Sequence, residues 1–222
     1  MSYWTNYGQR PLAMRATVAL TVTLAVLVVP AFADQWVFLH FHHTNLYDLD
    51  WARFLRLMGW WPTWALLALT LWLHEGGSIT TAAAAKRRAL LVAGSPAVAG
   101  ALCEVLKLLI RRERPEAGAG EWLFRAWGDR TFSTAGLATP SSHTMVAFGG
   151  ATIAAQLFPR ARWVFYALAW GCATTRVLSH AHYISDATFG ALLGWAVGWG
   201  LWIGLGPRVK APANESLPAP GA

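Results

Sequence analysis

Three short polar clusters interrupt a chain that is otherwise strongly apolar. Lys107, Arg114 and Pro115 close one apolar run, and Pro140, Ser141, Ser142 and His143 open the next. Arg176, His180, His182 and Asp186 lie between two more. Lys107, Arg114 and Arg176 supply three fixed positive charges, and guanidinium forks match the geometry of phosphate oxygens. Ser141 and Ser142 stand where a helix would begin, and the free backbone N–H groups of a helix start favour an anion. His182 and Asp186 are four apart, so a helical turn would put them on one face. A carboxylate there fixes the imidazole tautomer and stabilises positive charge as the ring attacks phosphorus. His143, from a different helix end, is suited to protonate the departing alkoxide. Nucleophile, orienting carboxylate, acid and anion cradle together point to phosphoryl transfer by protein groups, with no metal and no cofactor.

The elements that must position these residues are membrane helices. Of 222 residues, 55% are apolar and only 13% are charged, about half the charged share of a soluble domain. Apolar runs cover 16–33, 57–73, 89–110, 141–158, 163–179 and 187–205, each near the ~20 residues that cross a bilayer core. The fourth and fifth are short unless the polar residues at their ends join them. The expected fold is therefore all-α, a polytopic bundle of six transmembrane helices. It forms one membrane-embedded domain over 1–205, with the motif-bearing core at 89–205, and 206–222 reads as a disordered tail rich in Pro and Ala. Helix parity puts the end of span three, the start of four, the end of five and the start of six on one side. All three polar clusters can then meet.

Residues 46–58 mix charged and aromatic positions as an interfacial helix would. Residues 111–139 form the longest loop, the expected seat of headgroup selection. Fourteen tryptophans gather mostly near span ends, as an aromatic belt requires. The net charge of +7 comes in short clusters between apolar runs, where topology signals and anionic headgroup contacts belong, so it does not indicate nucleic acid. Once the bases of the phosphate site are set aside, Arg10, Arg15, Lys86, Arg87, Arg88, Arg160, Arg162, Arg208 and Lys210 favour an inside N-terminus and an outward-facing site. Ala31-Phe32-Ala33 has the look of a signal-peptidase site, but the run before it is longer than a usual signal core. Cys103 and Cys172 lie within apolar runs and read as packing residues.

The three clusters resemble the signature of the type 2 phosphatidic acid phosphatase superfamily: Lys-x6-Arg-Pro, Pro-Ser-Gly-His, then Ser-Arg-x5-His-x3-Asp. Lys107 through Pro115 matches the first part in spacing and identity. Ser142 replaces the Gly of the second, and Thr175 replaces the Ser of the third, while Arg176, His182 and Asp186 keep their spacing. The resemblance implies a six-helix fold, a phosphohistidine intermediate at His182, and His143 as the acid. It also implies a membrane-lipid substrate bearing phosphate: a polyprenyl pyrophosphate, phosphatidylglycerol phosphate, phosphatidic acid or lipid A. The expected location is the outer face of a bacterial-type cytoplasmic membrane.

Other readings remain open at this point. The same site could pass phosphate to another lipid, or the basic pocket could serve an anion channel or transporter. His180, His182, Asp186 and His143 could hold a metal, although the arginines would repel a cation. Glu104, three residues before Lys107, reads as an ion-pair partner for it. His40, His42 and His43 read as interfacial packing beside Trp36 and Phe41. Gly190, Gly194 and Gly198 line one helix face and permit close approach within the monomer.

Overall fold

The computed structural model describes residues 12–76 and 79–206, all of their extended regular structure helical. Seven α-helices follow in order: α1 (Leu12–His40), α2 (Asp50–Leu57), α3 (Trp61–Glu75), α4 (Ile79–Ile110), α5 (Ser142–Leu157), α6 (Arg162–Leu178) and α7 (Ile184–Leu205). Within α1, α4 and α7 lie stretches long and apolar enough to cross a membrane. The helices α3, α5 and α6, of 15, 16 and 17 residues, fall short of the ~20 that an isolated span needs. The six-helix expectation thus becomes three long apolar helices with three shorter ones packed among them.

The shortness of α5 has a physical reason. Every residue from Thr144 to Ala155 is buried, so α5 is enclosed by α4, α6 and α7 and shows little surface to lipid. Its sequence allows this because small residues let neighbouring backbones come close. A Cβ at Gly149 would lie 3.1 Å from that of Ala99 on α4, and one at Gly150 would collide with the Trp64 indole of α3. Trp64 is 1% exposed, and its Nε1 donates to Met58 O at 2.8 Å, which satisfies the one polar atom of the ring. Gly190, Gly194 and Gly198 of α7 face α5 within the monomer, as expected from their spacing. A Cβ at Gly190 would lie 2.8 Å from Ser141 O, and one at Gly198 would lie 2.6 Å from Thr152 Cβ.

Several boundaries differ from the sequence reading. The first run extends to His40, so Asp34 and the Ala31-Phe32-Ala33 tripeptide lie inside α1. Lys86, Arg87 and Arg88 belong to α4 rather than to a loop, where Arg88 pairs with Glu75 of α3 at 2.9 Å. The interfacial segment divides into a 3-10 turn at Leu46–Asp48 and the amphipathic α2, which packs on α6. Residues 111–139 are bolted down from inside. Arg111, 2% exposed, donates to Arg125 O at 3.1 Å and Ala126 O at 2.6 Å. Arg125 donates to Glu113 Oε1 at 3.0 Å and Ala135 O at 2.7 Å. Arg10, Arg208, Lys210 and the tail from 207 onward lie outside the described residues.

The α5–α7 seam can be tested directly. A Cβ at Gly194 would press on Met145 O and sit 3.0 Å from Phe148 Cβ. Gly194→Val is expected to cost about 1–3 kcal/mol by overpacking, read as a lower Tm in detergent. Gly200→Ala, whose Cβ meets nothing within 4 Å, is the control and leaves Tm unchanged or slightly higher.

Candidate active site

The end of α4, the start of α5, the end of α6 and the connection into α7 meet at one end of the bundle. Lys107 sits in the last turn of α4 and Arg176 in the last turn of α6, each only 6% exposed. Arg114 follows α4, is exposed, and donates its N–H to Gly136 O at 3.0 Å. His143 stands in the first turn of α5. A Cβ on Gly59, in the α2–α3 turn, would fall 2.5 Å from His143 Cβ, so that turn packs directly against the histidine.

His182, 3% exposed, lies at the centre. Burial holds its imidazole well below the ordinary histidine value, and the charges of Arg176, Lys107 and Arg114 push the same way. The ring is therefore neutral at neutral pH, with its lone pair free. Its Nδ1 is 3.9 Å from Asp186 Oδ2. The pair does not share a helical turn as the four-residue spacing suggested, because α7 begins only at Ile184. Asp186 instead closes a capping box, its Oδ2 accepting from Tyr183 N at 2.8 Å, while His182 hangs from the preceding bend. Its backbone N–H donates to Arg176 O at 3.2 Å.

The two serines face different ways. Ser141 is fully buried, with its N–H donated to Asp186 O at 3.2 Å and its hydroxyl accepting from Thr144 at 3.0 Å. It caps α5 without a side-chain bond to the first-turn N–H groups. The Ser142 hydroxyl donates to Glu104 at 2.8 Å, and Glu104 pairs with Lys107 at 3.6 Å, the i,i+3 pair expected from their spacing. Two buried nitrogens at this centre, His182 Nδ1 and Arg176 Nε, have no hydrogen-bond partner among the described residues.

Sequence reasoning missed a second layer of charged and aromatic groups. Arg112 is buried and bridges two acids, Asp34 Oδ2 at 2.7 Å and Asp186 Oδ1 at 3.1 Å. Its guanidinium is stacked against Tyr183 at 4.0 Å and Trp122 at 4.4 Å. Asp34 also accepts from Ser185 N at 2.9 Å and Ser185 Oγ at 2.6 Å, and the Thr139 hydroxyl donates to Asp186. Tyr47 accepts from Arg176 at 2.6 Å. Asp34, a lone acid at the end of an apolar run, carried a usable signal. Tyr47 carried none, because it is 129 residues from its partner.

The histidine-rich stretch packs through its rings. His42 stacks on His180 at 4.0 Å and Phe38 on its other side at 4.2 Å, while His40 Nδ1 bonds Trp36 O at 2.8 Å. Among the described residues no three His, Cys, Asp or Glu side chains are grouped to ligate a metal.

Fold and site define a helical, membrane-associated protein in which buried Lys107, Arg176 and His182 gather at one end of the bundle. The chain belongs to the PAP2 superfamily, whose family model matches residues 88–210. No curated protein and no solved structure matches it. Members of the superfamily are phosphatases acting on phosphate esters, typically of lipids.

The Arg112 bridge makes a stability prediction. Arg112→Met leaves two buried carboxylates uncompensated and is expected to cost about 3–5 kcal/mol. Adding Asp34→Asn recovers part of that loss, so the double-mutant cycle by denaturant unfolding shows a coupling well above the ~0.5 kcal/mol limit of additivity.

Proposed function

We propose that the chain is an integral-membrane lipid phosphatase working through a phosphohistidine at His182, with protein groups alone carrying the reaction. The observation that carries this reading is a buried, neutral imidazole beside three cations that are anion-binding in character. With Nδ1 turned to Asp186, Nε2 is the nitrogen left to attack. An N–P bond forms as the bond from phosphorus to the lipid oxygen breaks, and His143 gives that oxygen its proton. Lys107, Arg114, Arg176 and the first-turn N–H groups of α5 hold the phosphate oxygens as charge builds on them. Asp186 balances the positive charge of the phosphorylated ring. Water then gives a proton to His143 and attacks phosphorus, the N–P bond breaks, and both histidines return to their starting states. The substrate is an amphiphilic lipid carrying a phosphomonoester or diphosphate, entering from the bilayer with its tails still in lipid.

On this reading the site faces the outside of a bacterial-type cytoplasmic membrane. Support comes from exposed basic residues toward the other end of the bundle, Lys86 and Arg87 on α4, Arg160 before α6 and Arg162 at its first position, under the positive-inside rule.

Two experiments test these statements. In detergent with EDTA, the protein is expected to release phosphate from lipid phosphates. His182→Ala should abolish turnover, and His143→Ala should slow it by about 10²–10⁴-fold. Activity that disappears with EDTA and returns with zinc would replace this reading with a metal site. For sidedness, single cysteines are placed at Ala119 and Ala83, both exposed, with Cys103 and Cys172 replaced. An impermeant maleimide on intact spheroplasts should label the first and spare the second; the reverse pattern puts the site in the cytoplasm.

A further inference from the structure

Arg56, in the last turn of α2, is exposed and has no carboxylate partner among the described residues. Arg53, one turn earlier, is by contrast held by Asp50 at 3.5 Å and Asp48 at 3.9 Å. The Arg56 guanidinium lies over the Tyr47 ring at 4.6 Å, and Arg176 lies over the same ring at 5.7 Å. Tyr47 is thus a shared plate that holds two like charges side by side without neutralising either.

Two cavities meet at Arg56. One, of about 580 Å³, is walled by Tyr47, Arg56, Arg114 and Arg176, with Glu116 on its lining. The other, of about 270 Å³, joins Arg56 to His143, Leu57 and Trp60. The second gives Arg56 a direction. His143 is the group that protonates the departing oxygen, so whatever lies beyond that oxygen occupies the His143 side of the site. A guanidinium there serves little purpose toward a simple alcohol, which leaves uncharged once protonated. It matches a leaving group that is itself a phosphate, and the exposed Leu57 and Trp60 beside it suit the start of an apolar chain.

We propose that Arg56 binds the inner phosphate of a lipid diphosphate, which makes diphosphate esters of long apolar alcohols the preferred substrates. The proposal rests on the phosphatase reading above. The reaction it describes breaks the bond between the outer phosphorus and the bridging oxygen, moves the outer phosphoryl group to His182 and then to water, and releases the lipid monophosphate. Arg56 offsets the charge that this leaving phosphate keeps.

The test compares farnesyl diphosphate with farnesyl phosphate, which share one tail, using the full chain in detergent. The wild-type protein should favour the diphosphate in kcat/KM. In Arg56→Gln the diphosphate-to-monophosphate ratio of kcat/KM should fall roughly 10–100-fold, the range for losing a hydrogen bond to a charged group, mainly through KM. Arg56→Lys should recover part of it, since it restores charge without the fork. A ratio that holds, whether both rates fall together or neither does, overturns the proposal while leaving the phosphatase reading intact. Wild-type protein that prefers the monophosphate overturns it too. Wild-type protein that hydrolyses neither compound nor any other lipid phosphate defeats both together, and that result is separable because it needs no variant.

Discussion

A guanidinium held between two buried carboxylates ties the bundle together at its functional end. Arg112 reaches Asp34 of α1 and Asp186 of α7 from the segment that follows α4, so three parts of the chain distant in sequence meet at one ion cluster. Such a cluster is expensive to desolvate and survives only when every lone pair finds a donor. Here both carboxylates are served: Ser185 and its amide serve Asp34, Thr139 and the Tyr183 amide serve Asp186, and two aromatic faces cover the cation, whose Nε alone has no hydrogen-bond partner among the described residues. The energy spent on this arrangement sets the position of Asp186, and through it the bend that carries His182.

The other side of the site is left electrostatically incomplete. Lys107 has Glu104, which also takes the Ser142 hydroxyl, but Arg114 and Arg176 have no carboxylate among the described residues. Like charges gathered around a neutral imidazole raise the energy of the empty site. On the phosphatase reading proposed above, an entering phosphate would relieve that repulsion and meet donors already aimed before charge develops. Tyr47 makes the gathering tolerable by meeting Arg176 with both a hydrogen bond and its ring. The contrast between Arg112, paired with two carboxylates, and the arginines paired with none is the contrast between scaffold and the proposed anion site.

The long connection between α4 and α5 is a folded part of this site rather than a free lid. Arg111 and Arg125 bury their guanidiniums beneath it and spend them on backbone carbonyls, a use that leaves them unavailable to substrate. Its exposed rings, Trp122, Phe124, Trp127 and Phe132, therefore ride on a stiff support. Tyr183 reaches into the same segment, its hydroxyl donating to Glu121 O at 2.6 Å.

The sequence by itself determined the helical class, the membrane association, the family and the end of the bundle where the polar clusters meet. Those follow from local quantities: run length, charge content and the spacing of Lys107, Arg114, Arg176 and His182. The intramonomer role of Gly190, Gly194 and Gly198 and the Glu104–Lys107 pair were legible for the same reason, since helical periodicity fixes what lies on one face. Tertiary structure alone decided that α5 is a short enclosed helix, that His182 and Asp186 meet across a capping box, and that Asp34, Arg112, Tyr47 and Arg56 belong around the site. These residues act through contacts between elements up to 151 positions apart, and the identity of a partner at that distance is set by how helices pack, which no local pattern encodes.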